Sequence, residues 1–322
     1  MGMENTTMEN TRTKTTRNSL ILLLTAAIWG MAFVSQSKGM DYMHPFTFNG
    51  VRSLIGAASI LVYILISRKI AGDKAAPLDW KLNVKAGLLC GIFLTIASTL
   101  QQFGIKYTSV GKAGFITTLY IIFVPMFGIF LKKKVAPVVW AAAVMAAVGM
   151  YLLCMTESLR LGAGDIMVFL CAIAFAIQIM TVDHYAARID GAVVSCIQFT
   201  VCGVVCCIGA LIWGQPTFGQ LQEGLGALLY AGVLSCGVGY TLQIVGQKGL
   251  NPTVAALIMS LESVIATISG WIAYKIGFLT TDQTLTARQI AGCVIVFAAV
   301  ILVQLPPEWF RFGKKNASIK NA

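Results

Sequence analysis

Thr99-Leu100-Gln101-Gln102-Phe103-Gly104-Ile105-Lys106 returns 142 positions later as Thr241-Leu242-Gln243-Ile244-Val245-Gly246-Gln247-Lys248, with threonine, leucine, glutamine, glycine and lysine in register. The alignment extends both ways without a gap. Ala113, Ile116, Leu119 and Gly128 fall on Ala255, Ile258, Leu261 and Gly270, while Ala32, Phe33 and Gln36 fall on Ala174, Phe175 and Gln178. Apolar residues agree by chance in so hydrophobic a chain. Two aligned pairs of glutamines inside apolar runs are the stronger sign of an internal duplication.

Around this repeat, 57% of the 322 residues are hydrophobic and 11% are charged, against about a quarter charged in a soluble domain. Apolar runs long enough to cross a bilayer are expected at 18–37, 45–67, 84–105, 110–131, 137–155, 165–183, 191–213, 225–246, 252–275 and 286–304. The predicted fold is an all-α membrane protein of ten transmembrane helices. The first run resembles a signal peptide, but its length and the nine runs after it read as a retained helix. The first repeat is expected over 18–155 and the second over 163–304, between polar, mobile tails at 1–17 and 305–322. Five spans per copy is an odd number, so the second copy must enter from the opposite side. The halves are then related by a pseudo-two-fold axis in the membrane plane, an architecture used by secondary transporters for alternating access.

Basic residues set the expected orientation. With the amino terminus inside, seventeen lie in cytoplasmic segments and six outside (Lys38, Lys106, Lys112, Arg160, Lys275 and Arg288); Arg52, within a span, completes the 24. The positive-inside rule therefore puts both tails in the cytoplasm, and the net charge of +11 is that of a protein of the cell's inner membrane. It calls for lipid, not nucleic acid, as a partner. Trp80, Trp140, Trp213 and Trp309 sit near expected membrane interfaces.

Other classes lack their chemistry. The nine cysteines contain no C-x-x-C pair, and Cys202 with Cys206 on one helix face has no nearby histidine, so a metal site is not expected and small packing residues are. Neither His44 nor His184 belongs to a zinc-protease motif, and no phosphate-cradling P-loop or nucleophile elbow occurs. The reading is not an enzyme, with no cofactor. Gly87-x-x-x-Gly91 lets helices approach closely, within a monomer or between two, so monomer and homodimer both stay open.

Ala27-Ile28-Trp29-Gly30, Pro45 with Arg52, and Gln102-Phe103-Gly104-Ile105-Lys106-Tyr107-Thr108-Ser109 leading through Ala113 to Pro125 resemble the EamA family of the drug/metabolite transporter superfamily. Leu261-Glu262-Ser263-Val264 resembles its Leu-Glu-Pro-Val element, with serine in place of proline. The family's Gly-Glu pair after the fourth and ninth spans is missing; Lys132-Lys133-Lys134 and Tyr274-Lys275-Ile276-Gly277 stand there. The resemblance implies two EamA repeats moving a small organic solute, outward by family habit. Without proline after Glu262, the ninth span is expected to be straighter than the family's.

Polar groups in hydrocarbon mark candidate function. Glu262 lies about 15 Å deep in the ninth span at 1.5 Å per residue. It is the candidate proton carrier, or a partner for a cationic group of the solute, with a structural carboxyl as the plain alternative. Arg52 is expected either to snorkel to the outer interface or to meet a substrate carboxylate or Glu262. Tyr120 is the repeat mate of Glu262, so both are expected at equivalent depths. Gln101 with Gln36 and Gln243 with Gln178 form two expected polar layers, which either close alternately or simply bond helices together. Trp29 shares a face with Gln36, and Tyr240 with Gln243, suiting an amino acid or drug-like solute with flat and polar parts, or plain packing. The candidate substrate-binding set is thus Trp29, Arg52, Gln101, Tyr120, Tyr240, Gln243 and Glu262. The competing class is a non-transporting membrane subunit or receptor-like protein built on the same bundle, with a channel third.

Overall fold

The computed structural model describes residues 2–72, 77–108, 110–132, 135–154, 162–279 and 284–304. Among these there is helix and no strand: α1 (Gly2–Gly39), α2 (Pro45–Ala71), α3 (Trp80–Tyr107), α4 (Val110–Thr118), α5 (Tyr120–Phe130), α6 (Pro137–Cys154), α7 (Ala163–Tyr185), α8 (Gly191–Gly209), α9 (Phe218–Glu223), α10 (Leu225–Leu229), α11 (Tyr240–Gln247), α12 (Pro252–Met259), α13 (Leu261–Lys275) and α14 (Ala287–Gln304). π-Helical turns occupy Ala210–Gly214 and Tyr230–Gly239. Among the described residues eight segments are long and apolar enough to cross a membrane. Helices over Pro137–Leu152 and Ala287–Val303, expected as the fifth and tenth spans, are apolar but shorter. Residues 2–17, read from sequence as a loose tail, continue α1 instead; the carboxy-terminal tail, 305–322, with its Trp309, and the connections carrying Lys133, Lys134 and Arg160 lie outside the described residues.

Helix ends follow local chemistry. His44 and Asn251 each cap a helix that opens on proline, their side chains accepting from Phe46 N and Thr253 N, and proline loses nothing at a position whose N–H has no helical partner. Asp79 and Asp190 cap α3 and α8 in the same way.

Lipid is as apolar as leucine, so helices in a membrane associate through close packing and polar contacts. Here the packing partners trade places with the repeat. α7 packs on α3 and on α4–α5, while α1 packs on the π turns, α11 and α12–α13. α8 packs on α3 and α2 on the π turns, and α2–α8 and α6–α14 are pairs of mates. Each pairing maps onto another, or onto itself, under the 142-residue shift. The aligned glycines show why they are glycine: a Cβ on Gly104 would collide with Val168 and approach the Gly164 carbonyl to 2.9 Å, and one on Gly246 would meet Leu22 at 2.7 Å. The ends match too, with Thr108 Oγ1 donating to Asp165 Oδ1 (2.7 Å) and Asn18 Nδ2 to the Lys248 carbonyl (2.7 Å). Gly87 and Gly91 press on Ile197, Gln198 and Val201 of α8, so that motif makes a contact within the monomer.

Candidate functional site

The fourth and ninth spans are each interrupted at matched places, α4 giving way to α5 at Leu119 and α12 to α13 at Ser260. In the first half Pro125, inside α5, has no N–H to bond the Ile121 carbonyl. The second half carries Thr267 at that register and Ser263 after Glu262, and its span is interrupted at Ser260. Hydroxyls bond back to the helix at both breaks: Thr118 Oγ1 donates to Phe115 O (2.9 Å) in the first half, and Ser260 Oγ to Leu257 O (2.7 Å), Ser263 Oγ to Ser260 O (2.8 Å) and Thr267 Oγ1 to Ser263 O (2.9 Å) in the second. Such back-bonding competes with the helix ladder and bends it.

The two interruptions present Tyr120 and Glu262 to each other. The Tyr120 hydroxyl donates to Glu262 Oε1 at 3.0 Å, and both residues are buried. The two residues are mates under the 142-residue shift and are in direct contact. Beside them is a cavity walled by both halves. All seven candidates, Trp29, Arg52, Gln101, Tyr120, Tyr240, Gln243 and Glu262, line it. The two face-sharing pairs, Trp29 with Gln36 and Tyr240 with Gln243, both turn inward.

Aromatic rings form one part of the wall. Trp29 and Tyr240 have centroids 4.6 Å apart, and Phe199 meets Tyr240 edge-on at 4.9 Å, geometries that aromatic quadrupoles favour. Trp29 Nε1 donates to the Ser235 carbonyl at 3.4 Å. That carbonyl also accepts the Tyr240 N–H, five residues on, as the π turn ends.

The glutamine layers differ in state. Gln243 Nε2 donates to Gln178 Oε1 at 3.2 Å, closing the second-half pair. In the first half Gln101 Nε2 donates to Thr117 Oγ1 at 3.2 Å and Gln36 Oε1 has no partner. Gln243 Oε1 is likewise buried without one, so both layers present an unused acceptor.

Arg52 corrects an expectation. It is 5% exposed and faces the cavity instead of snorkelling to an interface, because α2 packs this face against α8 and the π turns. Its Nε donates to Asn49 Oδ1 at 3.0 Å and its guanidinium lies 5.4 Å from the Phe48 ring centre. Arg52 and Glu262 form no ion pair. Asn49, one turn before Arg52, was legible by the same rule that picked out the other polar residues, yet sequence reading passed over it. Phe199, Ser98 and Thr117 also stand at the wall, but serine, threonine and phenylalanine are ordinary in apolar helices and carry no signal.

The cysteines with described side chains are free thiols; Cys154's side chain is outside the described residues. Cys202 and Cys206 pack as expected of small residues, but in a polar setting. Cys206 Sγ accepts from Asn49 Nδ2 (3.2 Å), and Cys202 Sγ lies 3.4 Å from both Ser53 Oγ and Ser98 Oγ. Among the described residues no three His, Cys, Asp or Glu side chains gather as metal ligands.

The model of the EamA-like transporter family matches residues 17–155 and again 162–305. An uncharacterized transporter of Archaeoglobus fulgidus is 27% identical over 290 residues, covering 88% of this chain and 84% of its own. The uncharacterized transporter YwfM of Bacillus subtilis is 24% identical over 294 residues, covering 90% and 94%. A solved crystal structure superposes with a TM-score of 0.71 over 92% of this chain and 99% of that one, at 16% identity, a likeness of fold alone.

Proposed function

Because this chain belongs to the EamA-like transporter family, a family of membrane transporters and not enzymes, we propose that it is a secondary transporter moving a small organic metabolite by alternating access, in the exporting direction that family resemblance implies. The observation that carries this reading is the cavity between the repeats, with mates Tyr120 and Glu262 bonded to each other. The exchange of packing partners under the 142-residue shift supports two inverted five-helix repeats, the shorter helices α6 and α14 serving as the fifth and tenth spans. On this reading both termini are cytoplasmic and the protein sits in the inner membrane.

Each residue has a part. Trp29 and Tyr240 stack on the flat portion of the solute. Arg52 and the unused oxygens of Gln36 and Gln243 take its polar groups. Glu262, the carboxyl on the cavity wall, carries the coupled proton, and Tyr120 holds it in place. The paired layer Gln178–Gln243 is the closed gate of this conformation and Gln36–Gln101 the open one.

Proteoliposomes loaded with a mixed metabolite extract test the reading, with loss of each compound followed by mass spectrometry under a pH gradient of either sign. Selective loss that reverses with the gradient supports proton-linked transport. Selective loss indifferent to pH removes the proton from Glu262 and keeps the transporter. No loss from folded protein favours the non-transporting subunit.

A further inference from the structure

An arginine buried in a membrane bundle needs a counter-charge or a water-filled space, since an unpaired charge in low dielectric is costly. Arg52 is 5% exposed, and no carboxylate among the described residues pairs with it. Glu262, the carboxyl at the wall, is bonded to Tyr120 instead. The single protein hydrogen bond of Arg52 uses Nε. Both terminal nitrogens are left over, and these form the planar fork that matches two oxygens of a carboxylate.

The guanidinium is also held still. Asn49 Oδ1 accepts from Nε, while Asn49 Nδ2 is anchored by Ser98 Oγ (3.0 Å), Thr99 Oγ1 (3.4 Å) and Cys206 Sγ (3.2 Å) on α3 and α8. The Phe48 ring centre lies 5.4 Å from the head group. An amide whose two N–H groups are met by acceptors on α3 and α8, on a residue that does not itself line the cavity, fixes which edge of Arg52 is presented. A mobile charge would lose more conformational freedom on each binding event.

Resting on the transporter reading, we infer that the solute bears a carboxylate, held by the two terminal nitrogens of Arg52, and that Asn49 is the positioning residue that aims them. The missing counter-charge is then supplied by the solute itself, so an occupied cavity is electrically complete and an empty one is not.

The test uses matched acids and amides: phenylalanine with phenylalaninamide, leucine with leucinamide, and lactate with lactamide. Thermal unfolding of the purified full chain in detergent is measured with each, and efflux of the same compounds is measured from proteoliposomes. At least one acid is expected to raise the unfolding temperature where its amide does not. Arg52→Gln is expected to erase the shift and Arg52→Lys, a point charge without the fork, to keep part of it. Asn49→Ala is expected to raise KM for the acid by about tenfold, the weight of a hydrogen bond to a charged group, while changing kcat much less. Equal shifts for acid and amide, no shift with any member, or an undiminished shift in Arg52→Gln overturns the carboxylate. A shift specific to the acids without any efflux keeps the anion site and overturns transport. An Asn49→Ala effect on kcat alone overturns the positioning role.

Discussion

The two halves share a sequence register but not a conformation. α3 of the first half is continuous over Trp80–Tyr107, whereas its mate is split into α10, ten residues of π helix and α11. Gln36 and Gln101 are unconnected to each other while Gln178 and Gln243 are joined. π turns are rare and cluster at functional places. Here they carry Ser235 and Cys236 of the cavity wall and precede Tyr240 and Gln243. A duplication that folded into two identical halves would have no reason to prefer one open side. The difference teaches that matched sequence registers hold two different local structures, the asymmetry that the proposed exchange of roles between halves needs.

Locking the closed layer is the harshest way to break this comparison. With the native thiols replaced, cysteines at 178 and 243 joined by a short cross-linker should reduce flux to background, and reduction should restore it. Normal flux in the cross-linked protein means that layer does not open. Glu262→Gln comes next. The amide oxygen still accepts from Tyr120, so the fold is expected to survive and downhill efflux to continue, while the response to a pH gradient disappears. Transport equally steep in the gradient after the change removes the proton from this site.

Gln243→Leu deletes one gate bond. In membranes such a bond is worth about 0.6–2 kcal/mol, so the balance between open and closed forms should move roughly three- to thirty-fold, read as faster alkylation of a reporter cysteine on the second-half side. Gln101→Leu, which loses a bond to Thr117 and not to its layer partner, should change that rate less. Gly239→Ala sharpens the π-helix contrast. Its Cβ would stand 2.6 Å from Trp29 Nε1, and relief of such overpacking costs about 1–3 kcal/mol; a melting temperature equal to the parent's would show that the π turns give way freely.

Much of this was legible in the sequence for one physical reason. Hydrocarbon makes polar side chains conspicuous, so Glu262, Arg52 and the glutamines stood out, and the repeat register paired Tyr120 with Glu262 before any contact was known. What stayed hidden depends on direction more than depth. Arg52 is long enough to snorkel, and only the packing of α2 against α8 turns it inward. The interruption at Ser260 is accompanied by hydroxyl-to-carbonyl bonds that have no compositional mark, and the π turns leave only a scatter of glycines at 232, 237 and 239.

The central claim is that the two layers exchange states, and its most direct measurement is alkylation of single cysteines at 101 and 243 in proteoliposomes, with and without a transported solute at saturating concentration. Opposite changes, one position gaining reactivity as the other loses it, are predicted. Changes in the same sense at both positions, or none at either while solute is being moved, would contradict it.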